Sequence, residues 1–312
     1  MQGCSLVRDA KLILASPTFA EIPPLSLRTI RHYLSLIKFS HTVFALPFAL
    51  IGLTLALAWE HRPLQWHVPV VVVLCMVFAR SAAMAFNRYA DARFDALNPR
   101  TAVREIPAGV IPAKHALLFT ITSALLFVVC TAFLNPLCLA LSPVALAVIL
   151  VYSYTKRFTP LCHLVLGLGL ALAPIGAYLA VTGFFDVLPL LFSGIVLTWV
   201  GAFDILYALQ DEAFDREHKL HSIPVLLGRR NALRLSRALH VVTAGLVVAT
   251  GVLYLGSAWY WTGALIFIGL LIYQHSLVSE HDISRINLAF GTANGIASVL
   301  YAAFVITGLI LS

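Results

Sequence analysis

Nine stretches of this chain are apolar over about twenty residues, the length a helix needs to cross the roughly 30 Å hydrocarbon core of a bilayer. Their limits are residues 40–59, 67–90, 115–134, 137–154, 163–183, 188–210, 237–255, 259–279 and 287–311. Lipid offers no water to backbone N–H and C=O groups, so runs of this length are committed to helix. At 60% hydrophobic and 11% charged residues, with a mean hydropathy of +0.91, the chain lies outside the composition of soluble domains. The expectation is an all-α membrane protein, a bundle of nine transmembrane helices embedded in the lipid bilayer. Short gaps between the runs make one membrane domain over residues 39–312. Residues 1–38, with Pro17, Pro23 and Pro24, read as a tail followed by an interfacial helix from Leu27 to Ile37. The fourth run is the weakest, being short and interrupted by Pro143. Residues 1–30 lack a secretory signal, and no apolar run precedes Cys4, so no cleavage is expected.

The basic residues orient the bundle. Of the 21 Lys and Arg, 19 lie in the N-terminal segment or in the even-numbered loops, at Arg88 to Lys114, Lys156 and Arg157, Arg216 to Arg237, and Arg285. Arg62 is in an odd-numbered loop and Arg80 lies within a run. The positive-inside rule then places the N-terminus and the even loops in the cytoplasm and the C-terminus on the opposite side, in what reads as a bacterial inner membrane. The net charge of +7 belongs to this orientation and not to nucleic acid. No obligate protein partner is indicated. Cys4, Cys75, Cys130, Cys138 and Cys162 show no paired spacing and read as small buried hydrophobes. His218, His221, His275 and His281 lack zinc-type spacing, and His61 and His67 read as interfacial.

The second run ends in Asn87-Arg-Tyr-Ala-Asp91-Ala-Arg-Phe-Asp95. If its helix continues, Asn87, Asp91 and Asp95 recur every four residues and share one face. On an exposed helix such carboxylates repel by roughly 0.2–0.5 kcal/mol, and more where they are desolvated. A bound cation removes that cost; the plain alternative is a solvated helix end that stops the helix sliding into lipid. The following loop, Ala96 to Gly109, is rich in turn residues and bases. The sixth run carries a counterpart, with Asp204, Asp211 and Asp215 at steps of seven and four that also share a helical face. Both acidic stretches reach the same membrane side, four spans apart, as in two pseudo-repeated halves with motifs at 87–95 and 204–215. Arg80 lies on the stripe of the first motif. An arginine there costs roughly 2.5–3.5 kcal/mol on insertion scales, so it faces a polar interior, as partner of an acid such as Asp204 or as an anion contact.

The two acidic stretches are fringed by Arg88, Arg93, Arg100, Arg104, Lys156, Arg157 and Lys219. Mg²⁺ takes one or two carboxylates and completes its octahedron with phosphate oxygens and water. Metal storage alone would not need the bases, and a phosphate binder alone would not need four aspartates. A magnesium-bridged phosphate ester needs both.

These motifs resemble the UbiA-type intramembrane aromatic prenyltransferases. The resemblance rests on Asn87-x3-Asp91-x3-Asp95, on Arg100-Thr101-x2-Arg104, and on Tyr207-Ala208-x-Gln210-Asp211-x3-Asp215. Arg80, the stretch from Tyr152 to Arg157 and Asp204 stand at family-like places, and the likeness covers the chain from about residue 33 onward. It implies a nine-helix bundle whose central cavity opens to the cytoplasmic side and laterally to lipid. It also implies that Asn87, Asp91 and Asp95 form one Mg²⁺ and diphosphate cluster and that Asp211 and Asp215 form the other. Arg93, Arg104, Lys156 and Arg157 would hold diphosphate oxygens of a polyprenyl donor, with Arg80, Tyr207 and Gln210 among the substrate contacts. Asp204 or Asp211 would orient a phenol or take its proton. The implied reaction moves a polyprenyl group from its diphosphate to the ring of a hydroxylated aromatic acid.

Arg88 departs from the pattern, since many members carry an acid there. The stretches Asn98-Pro99-Arg100-Thr101 and Leu220-His221-Ser222-Ile223-Pro224 are similar to a quinone-pathway branch. Its acceptors are 4-hydroxybenzoate, for ubiquinone, and 1,4-dihydroxy-6-naphthoate, for menaquinone. Lys38, Ser40 and His41 stand ready either as contacts to the acceptor carboxylate or as an interfacial anchor. Three other readings stay open: an ion-coupled secondary transporter, a haem- or chlorophyll-type prenyltransferase, and a membrane scaffold.

Overall fold

The computed structural model describes residues 27–37 and 44–311, the side chains of residues 27–30 excepted. Lys38, Ser40, His41, Cys4 and the expected tail fall outside the described residues. The chain is a succession of helices: α1 (Leu27–Leu36), α2 (Leu46–Thr54, continued by a π-turn Leu55–Trp59), α3 (His67–Leu97), α4 (Ala113–Ala132), α5 (Pro136–Thr155) and α6 (Cys162–Thr182). There follow α7 (Val187–Ala208), α8 (Glu212–Glu217), α9 (Ile223–Leu253), α10 (Ala258–Ser276) and α11 (Asn294–Leu311), the last entered through a π-turn at Leu288–Ala293.

Local chemistry sets several of the ends. Pro136 opens α5, with the Asn135 side chain accepting from Cys138 N. Asp186 caps α7 through Leu188 N, and Ser257 caps α10 through Tyr260 N. Gly183 ends α6 in the left-handed region at φ 72°, a position open to glycine at no steric cost. Pro143 sits within a continuous 20-residue α5, so the fourth span is longer than its sequence implies. Among the described residues, seven helices are long and apolar enough to cross a membrane, and they match seven of the nine expected spans. The first expected span is a shorter apolar helix over Leu46–Trp59. The eighth is α10, whose Trp259, Tyr260, Trp261, Gln274 and His275 dilute its hydropathy.

Two boundaries move. The seventh span begins at Ile223, fourteen residues before its expected start at 237, because Arg229, Arg230, Arg234 and Arg237 mask helix that hydropathy reads as loop. Gly228, at φ 73°, kinks that helix near its start. The second motif is not one straight face: α7 ends at Ala208, a 3₁₀ turn covers Leu209–Asp211, and α8 begins at Glu212.

The core centres on α7, whose apolar window is 56% buried against 17% for α5, so α7 is the inner helix and α5 a lipid-facing one. Trp199 packs on Phe48, Phe203 and Phe267, and its indole donates to Asn294 Oδ1 at 2.9 Å. In a separate cluster, Leu36 of α1 is buried with Ala85, Ile111 and Ala116, and the Ser35 hydroxyl donates to Glu105 at 2.5 Å. The loop after α3 is thereby held against the bundle, and that loop carries much of the site.

Candidate functional site

Both acidic stretches open on one cavity of about 940 Å³ of free space, part of it open solvent. α3 runs unbroken to Leu97, so Asn87, Asp91 and Asp95 do share a face, and all three line the cavity. Opposite them stand Asp204 and Tyr207 of α7, Asp211 of the 3₁₀ turn and Asp215 of α8. Arg104, Lys156 and Arg157 complete the predicted residues in the lining. Arg93 is exposed outside it, Arg80 and Gln210 lie outside it, and Gln210 donates to Tyr207 O at 3.3 Å. Arg88 is buried away from the lining.

Each of the four motif aspartates faces a base. Arg100 grips Asp211 through two bonds, Nε to Oδ1 at 3.0 Å and Nη2 to Oδ2 at 2.6 Å, the bidentate geometry that suits guanidinium. Asn98 adds a third bond to Asp211 at 3.1 Å, and Arg100 also reaches the Tyr207 hydroxyl at 3.3 Å. Arg104 meets Asp95 at 2.6 Å, and Lys156 meets the fully buried Asp215 at 2.8 Å. Arg157 lies 3.7 Å from Asp91, lies over the Tyr154 ring, and donates to Ala90 O at 2.5 Å. Asn87 donates to Asp91 Oδ2 at 3.1 Å. Burial by itself would lower the Lys156 ammonium, yet Asp215 facing it and Asp211 behind it reverse the sign, and its pKa stands above the ordinary lysine value. Arg100 follows the same pattern: burial opposes its charge and Asp211 outweighs burial.

The donor set fits a hard divalent cation that arrives with further ligands. Asp95 Oδ2 and Asp215 Oδ2 are buried without a hydrogen-bond partner, a costly state for carboxylate oxygens that a cation would relieve. Among the described residues no three His, Cys, Asp or Glu side chains converge closely enough to hold a metal ion by themselves. Any such ion would therefore complete its shell with oxygens from a ligand.

Several lining residues show their contacts only in three dimensions. Asn98 belongs to a turn pair, and its 113-residue reach to Asp211 is visible only in three dimensions. Ser153 and Tyr152 lie at the inner end of α5. His163 stands alone in an apolar run, yet its Nδ1 lies 2.7 Å from Asp204 Oδ2. Arg100 was noted as one of many fringing bases, and the structure makes it the tie between the two motifs.

The family model of the UbiA prenyltransferase family matches residues 45–305. A 4-hydroxybenzoate octaprenyltransferase of Aliivibrio fischeri (strain MJ11) is 34% identical over 165 residues, which are 53% of this chain and 58% of that relative's length. The chain thus spans less than two thirds of that relative. The apo structure of a UbiA homolog from Aeropyrum pernix K1 superposes with a TM-score of 0.74 at 30% identity, covering 87% of this chain and 97% of the homolog. A UbiA homolog from Archaeoglobus fulgidus bound to DMAPP and Mg²⁺ shares the fold, with a TM-score of 0.70 at 19% identity over 90% of this chain and 100% of the homolog.

Proposed function

The chain belongs to the UbiA prenyltransferase family, and on that premise we propose that it is an aromatic prenyltransferase of the bacterial inner membrane. It moves a polyprenyl group from polyprenyl diphosphate to the ring of a hydroxylated aromatic carboxylate, 4-hydroxybenzoate or 1,4-dihydroxy-6-naphthoate, on the way to ubiquinone or menaquinone. Its N-terminus faces the cytoplasm and its C-terminus the opposite side. The observation that supports this reading is the meeting of both acidic stretches in one cavity, with Asp91, Asp95, Asp211 and Asp215 each opposite a base.

In this reading Asn87, Asp91 and Asp95 hold one Mg²⁺ with the donor diphosphate, and Asp211 and Asp215 hold the other. Mg²⁺, when bound, supplies positive charge where the leaving diphosphate gains negative charge. Arg100, Arg104, Lys156 and Arg157 exchange their carboxylate partners for diphosphate oxygens, so each base is already positioned and charged when substrate arrives. Arg80 and Arg93 stand outside the lining and receive no contact in this scheme. Tyr207, hydrogen-bonded to Arg100 and packed in a tilted pair with Phe290 at 4.1 Å between centroids, walls the cavity between the diphosphate and the acceptor. The isoprenoid chain lies along Leu, Val and Phe side chains toward lipid. As the allylic C–O bond breaks, the electron pair goes to diphosphate. The electron-rich ring attacks the allylic carbon ortho to its hydroxyl, and a ring proton is then lost.

The test is mass spectrometry of products from membranes containing the protein, offered geranyl or longer diphosphates with each acid in turn. Prenylated acid together with released diphosphate is the expected outcome. Ion-coupled uptake without product would overturn it. Prenylation of the naphthoate alone would assign the menaquinone route.

A further inference from the structure

His163 joins three helices at the inner end of the cavity. It sits on the first turn of α6, with only 2% of its surface exposed. Its Nδ1 meets Asp204 Oδ2 of α7 at 2.7 Å, and its Nε2 accepts the backbone N–H of Ile223 at 3.3 Å. Ile223 is the first residue of α9, and its N–H is one of the donors that a helix start leaves without an internal partner. Because Nε2 accepts from Ile223, it is Nδ1 that carries the proton His163 donates to Asp204. One carboxylate oxygen of Asp204 is therefore fixed. The other has no hydrogen-bond partner among the described residues, and Asp204 lines the cavity with 17% of its side chain exposed.

Of the five lining aspartates, Asp204 differs from the rest. The other four face Arg or Lys, which suits anion exchange, whereas Asp204 faces the His163 imidazole. Among the described residues no Arg or Lys pairs with it. That is the arrangement of a general base held by an orienting group, with the roles of the usual pair reversed.

We infer that His163 is a positioning residue that fixes Asp204 so that its Oδ1 takes the proton of the acceptor's ring hydroxyl. This rests on the aromatic prenyltransferase reading above. The hydroxyl O–H bond breaks as an Asp204 O–H bond forms, and the resulting phenolate pushes its electrons into the ring. A ring carbon then bonds to the allylic carbon while the C–O bond to diphosphate breaks and diphosphate keeps the pair. The ring C–H proton passes to diphosphate, and Asp204 returns its proton to the ring oxygen. The Nδ1 proton of His163 never leaves the imidazole.

The experiment compares wild type, His163→Leu and His163→Asn in detergent-purified full-length protein. The donor is geranyl diphosphate, and the acceptor is whichever of the two acids the wild type prenylates. The same acid, ring-fluorinated so that its hydroxyl is already ionised at the assay pH, serves as the second acceptor. His163→Leu should lower kcat for the parent acid by about 10²-fold, the usual scale of general-base assistance, while the KM for geranyl diphosphate stays within about twofold. His163→Asn, whose Nδ2–H can take the place of Nδ1–H, should recover most of that loss. With the ionised acceptor the His163→Leu deficit should shrink to under about tenfold, because no hydroxyl proton remains to be moved. An equal deficit on both acceptors, or a rise in donor KM that accounts for the loss, would overturn the inference while leaving the proposed function standing. A wild type that prenylates neither acid would overturn both.

Discussion

The two acidic stretches line one cavity from different backbones. The first is a continuous helix, α3, in which spacing alone brings Asn87, Asp91 and Asp95 to one side, and the apolar window of α3 is 33% buried. The second stands on the innermost helix, 56% buried, and breaks at Ala208 so that a 3₁₀ turn and α8 redirect Asp211 and Asp215. The first motif keeps part of its neutralisation local, Arg104 reaching back nine residues to Asp95. The second borrows all of its own. Asp211 is held by Asn98 and Arg100 from the loop after α3, and Asp215 by Lys156 from the end of α5. Lys156 and Arg157 are neighbours in sequence yet serve different motifs, Asp215 and Asp91 respectively. A regular helix can present its own acids, and an irregular one must be completed by its neighbours.

The largest expected effect tests whether both halves are needed. Asp91→Asn and Asp211→Asn should each reduce prenyl transfer in isolated membranes by at least about 10²-fold, the scale of removing one preorganised electrostatic contact, while the protein still inserts. Normal activity in either variant would reduce the pair to a single working motif. Next comes the tie between them. Arg100→Ala should cost about as much as a lost bidentate contact, roughly tenfold to a hundredfold, and Arg100→Lys should not restore it because an ammonium cannot grip Asp211 at two points. Arg104→Ala, which removes a proposed diphosphate contact and a single carboxylate partner, Asp95, without touching the second motif, should cost less, and the ratio of the two activities measures how far the second motif depends on the first.

Stability separates the sequence neighbours. Lys156→Ala leaves the buried Asp215 carboxylate, 1% exposed, without its partner and should lower unfolding stability by about 1–3 kcal/mol, discounted because the Lys156 side chain is itself 33% exposed. Arg157→Ala removes a 3.7 Å pair between half-exposed groups and should cost under about 1 kcal/mol. Thermal unfolding in detergent reads both. The smallest effect is its pH dependence. The folded pKa of Lys156 is raised, so its contribution to stability is complete below the unfolded value, near 10.4, and fades only as pH climbs through the higher folded value. The Lys156→Ala deficit should therefore stay constant from about pH 7 to pH 9 and close only in strong alkali.

What could be read from the residues alone follows the same divide. Four-residue spacing survives because α3 is regular, and the second motif's shared face at steps of seven and four did not anticipate the break at Ala208. The start of α9 was missed because four arginines in nine residues look like loop to a hydropathy window, although they ride on helix. Lys156 and Arg157 were legible as bases near the site, but their division between two motifs was not. Asn98 was legible only as part of a turn and a branch-like stretch, and His163 carried no signal, since both acquire their roles from partners 113 and 41 residues away. Local rules describe what a segment does to itself; they are silent on contacts closed by the packing of other helices.

The lining counts four bases, Arg100, Arg104, Lys156 and Arg157, against five carboxylates, Asp91, Asp95, Asp204, Asp211 and Asp215. Counted with every carboxylate and base ionised and the His163 imidazole left out, these described lining residues sum to one negative charge. A bare diphosphate anion would thus enter a compartment that already leans negative and is walled by apolar helices. On the proposed reading, the anion would then enter together with divalent cations, and total charge would select what is admitted before any carbon is moved.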